Sequence, residues 1–540
     1  MGIPMSKDDI RVLLIDGYID DPAALGVPPY ISPIVRAIAG AAMDAGATVE
    51  YLSIDMIRKG KKIDGTTDIS VVMSGNTVPG KYIRSMPMSV KELERIFPQL
   101  GRNRFIGGSA ADTEIAKSFD FIIKKDLAAS LYDGIIGKDV EERFRTLDEW
   151  NRWMVQGADI VKQHQDYPFP LVAEIETYRG CHRYRSGGCS YCIEPLKGKP
   201  LMRSPQDILA EAKRLKENGV HNIRLGGQTC IVSYGSTDTN DPARPNPEAV
   251  KELFLGIREL GFNTVHVDNA NPAVIATYPE ESMEILRTIA ECCTAGNVLA
   301  LGMESADPMV IKSNNLNSTP ELTLKAIRMI NEVGAERGEN GMPRLLPGIN
   351  LLYGLDGETS GTYEMNREFL RRVLDENLLI RRINIRQVLP VRREFTTRVN
   401  PKVFKKNKED IREEIDHEML RRMVPKGTVL KDVFMEIHDG NTTFGRQIGS
   451  YPLLVGIPYP LELGKCYDIV VTDWGMRSIT GIENEFDINK MTMTQVTGLP
   501  GIGKKRAAKI ILAKPLTPEK LREAIDDDNV FESLSPHIVY

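Results

Sequence analysis

Residues 171–192 read LVAEIETYRGCHRYRSGGCSYC: a strand-like apolar run, then Cys181, Cys189 and Cys192 in quick succession. The 540-residue chain has only seven cysteines, so three in one loop need a chemical reason. The other four, Cys230, Cys292, Cys293 and Cys466, are scattered, and an odd total makes no disulfide framework. Three thiolates in one loop suit zinc or an iron-sulfur cluster, or they sit together as inert thiols. Structural zinc takes four ligands, and His182 is the sole nearby fourth. Three cysteines on a 4Fe-4S cluster leave one iron open for a small molecule to chelate. The strand before the loop and Tyr191 before the last cysteine fit that arrangement better.

Outward from the loop, strand and helix patterns alternate from Leu171 to about Val391, giving about six strands each followed by a helix. That is an open or partial α/β barrel, with the cysteine loop at the active-site end of its first strand. Upstream, RVLLID, TVEYLSI, ISVVMSG, RFIGGS and FDFIIK alternate with helical stretches, the pattern of a doubly wound, Rossmann-like parallel sheet. Such sheets bind ligands at the carboxyl ends of their strands. Those ends are Asp16-Gly17-Tyr18, Ser74-Gly75-Asn76-Thr77 and Gly107-Gly108-Ser109. A helical connector follows, in which Trp150 and Trp153 read as a packed face without chemistry.

Charged residues make up 26% and hydrophobic residues 42%, ordinary for a folded protein, and the length predicts several domains. The net charge of −5 gives no overall basic field, so nucleic-acid binding would have to be local. No apolar run is long enough to cross a bilayer, and the first residues lack a signal-peptide plan; the expectation is a cytoplasmic protein with no membrane partner.

Cys189-Ser190-Tyr191-Cys192 resembles the motif of the radical S-adenosylmethionine (SAM) superfamily, although seven residues rather than three separate Cys181 from Cys189. Gly226-Gly227-Gln228 is similar to the superfamily's Gly-Gly-Glu, Gly302-Met303-Glu304-Ser305 to a Gly-x-Glu-Ser stretch, and Gly354 to Thr359 to a Gly-x-Pro-Gly-Glu-Thr loop with Asp356 in place of proline. The resemblance implies a 4Fe-4S cluster on Cys181, Cys189 and Cys192, SAM positioned by Tyr191, Gly226, Gly227, Gln228 and Glu304, and an external electron donor. It names no catalytic residue. Residues 1–180 hold no cysteine, which argues against the methylthiotransferase branch with its second cluster. The upstream sheet instead resembles a cobalamin-binding domain, without the usual histidine for cobalt. That resemblance implies cobalamin held by Asp16, Gly17, Ser74 to Thr77 and Gly107 to Ser109, and methylation of an unreactive carbon.

Beyond the barrel lie a charged helical stretch, a β-rich segment at about 435–485 and Thr497-Gly498-Leu499-Pro500-Gly501-Ile502-Gly503-Lys504, which looks like a helix-hairpin-helix. Its glycines permit a phosphate-holding turn, with Lys504, Lys505, Arg506 and Lys509 adding charge. Such hairpins also serve as protein-packing modules.

The expected α/β architecture is therefore a Rossmann-like cobalamin-binding domain (1–135), a helical connector (136–170), a radical SAM partial (β/α)6 barrel (171–395), a helical linker (396–432), a small β-barrel (433–487) and a helix-hairpin-helix (488–540). The domain order resembles archaeal radical SAM proteins. The implied function is a cobalamin-dependent methyltransferase acting on a macromolecule, a protein side chain ahead of tRNA. The candidate is a glutamine of methyl-coenzyme M reductase in a methanogen, a post-translational modification. The alternatives are a radical SAM enzyme that modifies nucleic acid, or a non-catalytic protein with a structural cluster. Glu174, Glu176, Tyr178, Asp268 and Asn269 at strand ends are further candidate contacts.

Overall fold

The structure, a computed structural model, describes residues 10–19, 26–75 and 83–540. The chain divides into two units: Met1–Gly188 with Cys192–Cys293, and Cys189–Tyr191 with Thr294–Tyr540.

The first unit opens with β1 (Arg11–Asp16), α1 (Pro33–Asp44), β2 (Thr48–Ser53), β3 (Ile69–Met73), β4 (Arg104–Gly107) and β5 (Phe121–Ile122). All five strands are parallel, in the order β2-β1-β3-β4-β5. The continuous apolar runs follow from burial on both faces: Leu13, Leu14 and Ile15 in β1 and Val71 and Val72 in β3 are fully buried. Helix α1 starts at Ser32, whose hydroxyl accepts from the Ile34 amide at 3.1 Å, with Pro33 at its first position.

Helices α2 (Leu127–Ile135) and α3 (Leu147–Gln156) follow, and α3 begins with a Thr146/Glu149 capping box. Two glycines let α1 and the end of α3 touch backbone to backbone. A Cβ on Gly40 would lie 1.9 Å from the Trp153 carbonyl oxygen, and one on Gly157 would lie 1.8 Å from that of Arg36. Trp150 and Trp153 are buried, and the Trp153 indole donates to Asp44 Oδ2 at 3.0 Å. The tryptophan pair is thus a packed face.

The same unit continues with β6 (Val172–Glu176), α4 (Pro205–Glu217), β7 (Asn222–Gly226), α5 (Pro247–Glu259), β8 (Thr264–Val267) and α6 (Pro279–Cys292). Their parallel sheet runs β8-β7-β6, with the two-residue strand Tyr30–Ile31 at its edge.

The second unit begins with β9 (Asn297–Glu304), α7 (Pro320–Gly334), β10 (Leu345–Tyr353), α8 (Ser360–Asp375) and β11 (Ile383–Gln387), forming the parallel sheet β9-β10-β11. The six strands expected between 171 and 395 thus lie three in each unit. Next come α9 (Pro401–Ile411), a π-helical turn at Arg412–Asp416 and α10 (His417–Met423).

The strands β12 (Val429–Asp439), β13 (Thr442–Gln447), β14 (Leu454–Ile457), β15 (Cys466–Trp474) and β16 (Ser478–Glu483) close into a barrel in the order β12-β13-β14-β16-β15. Every neighbouring pair is antiparallel except β14 with β16. Numbered from one, the order is 1-2-3-5-4, that of an OB-type Greek-key barrel. Helices α11 (Met493–Thr497), α12 (Lys504–Leu512), α13 (Pro518–Ile525) and α14 (Asp528–Leu534) complete the chain. Val496, Ile510 and Phe531 from these helices share one core with Val433, Ile469 and Ile479 of the barrel.

Candidate active site

The longer spacing between Cys181 and Cys189 has a local solution. Cys181 caps a short 3-10 turn, His182–Tyr184, its Sγ accepting from the Arg183 amide at 3.4 Å. Asp241 then pins the loop, accepting from Arg183 Nε at 2.8 Å and Ser186 Oγ at 2.7 Å. Gly187 and Gly188 turn the chain with φ of 81° and 61°. A side chain on Gly188 would meet Pro195 Cγ at 2.2 Å, so only glycine fits there.

Residues 189–191 belong to the second unit, which holds them closely. Ser190 donates its amide to the Asn314 carbonyl at 3.0 Å and its hydroxyl to Asn314 Oδ1 at 2.8 Å. Arg392 donates to the Cys189 carbonyl at 2.8 Å. Asn314 is itself fixed by donating to the carbonyls of Val310 and Asp356, both at 2.8 Å. Asp356, which occupies the usual proline position, pairs with Arg393 at 2.9 Å and accepts from the amide and hydroxyl of Thr396. Glu358 closes the same turn by accepting from the Gly354 amide at 2.6 Å.

Tyr191 reaches Glu304, donating its phenol to the carboxylate. Glu304 ends β9 at a register shift beginning at Gly302 and has φ of 67°, a left-handed conformation unusual for a residue with a side chain. Burial raises its carboxyl to about 7, while Tyr191 and the charge of Arg386 act in the opposite direction. The strain and the bulge aim one carboxyl group at the tyrosine of the cysteine motif.

In the first unit, Gly226 and Gly227 end β7. A Cβ on Gly226 would strike Glu174 Oε1, and one on Gly227, whose φ is 75°, would lie 2.8 Å from Glu176 Cγ. The pair is therefore required by the acids beside it. Gln228 is buried, accepts from Thr177 Oγ1 at 3.1 Å, and donates to the carbonyls of Leu225 at 3.2 Å and Asp268 at 2.7 Å. Its side chain, expected to position SAM, spends its amide hydrogens inside the protein. Tyr178 points the same way, its hydroxyl donating to the Cys230 carbonyl at 2.8 Å.

A buried ion chain was not anticipated. Arg224 bridges Glu174 and Asp268, all three essentially without solvent exposure. Asp268 also accepts from the Asn269 amide at 2.8 Å. A lone arginine inside the apolar strand NIRLG was the available signal.

At the upstream sheet, Asp16 is fully buried, accepting from the Tyr51 hydroxyl at 2.7 Å and the Tyr18 amide at 2.9 Å. Burial raises its carboxyl to about 7, those hydrogen bonds pull it down, and Asp55 adds to the rise. The strand ends are crowded: a Cβ on Gly17 would lie 2.9 Å from Ser74 Cβ, and one on Gly108, at φ of 76°, would lie 2.2 Å from the Ser74 carbonyl oxygen. Gly75 donates its amide to the Tyr18 carbonyl at 2.9 Å. The Ser109 hydroxyl is buried and has no hydrogen-bond partner among the described residues. Asn76 and Thr77 lie outside those residues.

Two of the hairpin's four basic side chains face acids. Arg506 pairs with Asp527 at 2.9 Å and donates to the Gly501 carbonyl, while Lys509 lies 3.8 Å from Asp526. The adjacent cleft is lined by Glu519, Glu523 and Asp528 as well. Lys504 and Lys505 are exposed, and the acids offset only the other two charges.

The donor chemistry of the cysteine loop fits an iron-sulfur cluster. Cys181, Cys189 and Cys192 are partly exposed thiols, whereas Cys230, Cys292 and Cys293 are buried and burial raises their pKa. Among the described residues no three histidine, cysteine or acidic side chains are drawn together as a ready-made metal site. No helix of the described residues is long and apolar enough to cross a membrane.

Residues 175–370 match the radical SAM superfamily, so this chain carries a radical SAM domain, the kind that holds a 4Fe-4S cluster and SAM. The chain belongs to one family with an uncharacterized protein of Methanocaldococcus jannaschii, 44% identical over 507 residues, covering 87% of this chain and 93% of the relative. An uncharacterized protein of Archaeoglobus fulgidus is 38% identical over 535 residues, covering 96% and 97%. Among solved structures, the radical SAM methyltransferase TsrM of Kitasatospora setae, with cobalamin and a [4Fe-4S] cluster bound, is similar with a TM-score of 0.45 and 16% identity, covering 70% of this chain and 72% of that one.

Proposed function

We propose that this protein is a cobalamin-dependent radical SAM methyltransferase that methylates an unactivated carbon of a macromolecule. The order of the upstream sheet carries the cobalamin part. In β2-β1-β3-β4-β5 the winding reverses between β1 and β3, and doubly wound sheets of this order take a flat cofactor at that point. Asp16, Gly17, Ser74, Gly75, Gly107, Gly108 and Ser109 all fall at the strand ends on this side, where the unpartnered Ser109 hydroxyl is available to a ligand.

When bound, these groups would supply hydrogen abstraction from the carbon and a methyl group for it. Cys181, Cys189 and Cys192 hold the cluster as thiolates. Glu304, fixed by Tyr191, presents a carboxyl group for the polar end of SAM. The backbone at Gly226 and Gly227 stands where no side chain can intrude.

The expectation of a protein substrate, a glutamine of methyl-coenzyme M reductase, rests on domain order. The OB-type order of the second unit's barrel favours a second reading, in which the substrate is tRNA or another nucleic acid. Anaerobic protein made with cobalamin supplied should carry about one cobalamin and about four irons per chain. Iron without cobalamin would refute methyl transfer by this route. Methyl-labelled SAM offered with peptides spanning that glutamine, or with tRNA, then separates the substrates.

A further inference from the structure

In the second unit, Ile380, Arg381, Arg382, Ile383, Asp416, Met419, Leu420, Met423 and Arg477 line a shallow cleft of about 20 Å³. Three guanidinium groups meet one carboxylate there. Arg381 is spoken for, donating to the carbonyls of Tyr451 at 2.9 Å and Pro452 at 3.1 Å. Arg382 is not: its guanidinium lies 3.5 Å from the centre of the Tyr451 ring, and no described oxygen accepts from it. Arg477 approaches Asp416 only to 4.0 Å, beyond hydrogen-bond range, with its side chain 54% exposed. Arg412 adds further positive charge around the same acid, and Lys408 lies close enough to Arg412 and Arg477 to be repelled by them.

The excess charge is felt. Arg381 is lowered to about 10, chiefly by burial, with Asp416 opposing and Arg477 and Arg382 adding to the fall. Lys408 is lowered by burial and then by Arg412 and Arg477. The backbone is also unusual on both sides: Arg382 has φ of 73°, and Asp416 ends the π-helical turn. Both features are uncommon and gather at binding sites.

We infer that this cleft binds a phosphate group of a single-stranded nucleic acid, through Arg382 and Arg477. Arginine presents a planar fork of donors suited to phosphate. Arg477 lies in the loop joining the fourth and fifth strands of an OB-type barrel, a loop such barrels use for oligonucleotides. The same loop begins at Trp474, an aromatic ring already contacted by Arg421 and Lys426 at 5.4 Å and 5.3 Å, which a base can stack on. The inference rests on the nucleic-acid reading above, but the binding needs no cofactor, so failed methyl transfer would leave it standing.

The test is fluorescence anisotropy of the full chain with a labelled single-stranded RNA of about twelve nucleotides across a salt series. Arg382→Gln/Arg477→Gln should weaken binding about tenfold and lower the salt slope by about 0.7, the contribution of one phosphate contact. Arg477→Gln alone, at an exposed position, should give a smaller loss with the fold intact. Unchanged affinity and slope in the double variant would overturn the assignment. So would an equal loss in Lys504→Gln/Lys505→Gln, which would move the site to the hairpin, or binding of a phosphopeptide in place of RNA.

Discussion

Gly302 leaves room for Glu304: a Cβ on the glycine would lie 3.1 Å from Glu304 Oε1, one residue beyond the start of the bulge. The glycine thus lets the Glu304 carboxyl lie close against the bent strand. Gly302→Ala should displace the carboxyl by a few tenths of an ångström. We expect the KM for SAM to rise about tenfold with a stability change below about 1 kcal/mol. Glu304→Gln should keep the Tyr191 contact and lose less. An unaltered KM in Gly302→Ala would refute the SAM-positioning role.

Cys189→Ala tests enzyme against structural cluster. An enzyme loses all 5′-deoxyadenosine formation, while a structural site mainly loses stability. Iron content and the deoxyadenosine assay, read together on anaerobic protein, decide between them.

Asp16 makes stability depend on pH. Its folded pKa, about 7, exceeds the ordinary value of 3.8, so the folded state binds the extra proton between those limits. Stability is full below about pH 4 and falls as pH rises through 7, by at most about 4 kcal/mol. Asp16→Asn should gain on the wild type as pH is raised from 5 to 8 in calorimetric scans. A constant difference between the two would contradict this.

Gly108→Ala places a methyl group 2.2 Å from the Ser74 carbonyl oxygen in a left-handed backbone. The cost should be on the order of 2 kcal/mol. Cobalamin content should drop with it, while iron content holds. Loss of both would indicate general misfolding.

Legibility followed the period of the pattern. The upstream strands are apolar on both faces and were plain from runs such as RVLLID, and the barrel strands were marked by their turns. The cysteine loop was legible because three thiols in one loop have few uses. The Arg224 ion chain, the Asn314 clasp on Ser190 and the Arg382 cleft were not, because each joins residues far apart in sequence. Gln228 shows the converse: the motif placed it correctly at the end of β7, but its partners Thr177 and Asp268 come from other segments and turn the amide inward.

Arg36 on α1 donates to Glu211 at 2.7 Å and to the Glu174 carbonyl, wholly out of solvent. Its partners stand on β6 and α4, beyond the connector. The upstream sheet is thus not a detachable cassette. Cutting near residue 136 or 170 would strand the buried charge of Arg36 in the upstream fragment, and the cut near 136 would also bare the Gly40–Gly157 seam. Recombination that exchanges this domain among relatives must carry β6 and α4 along.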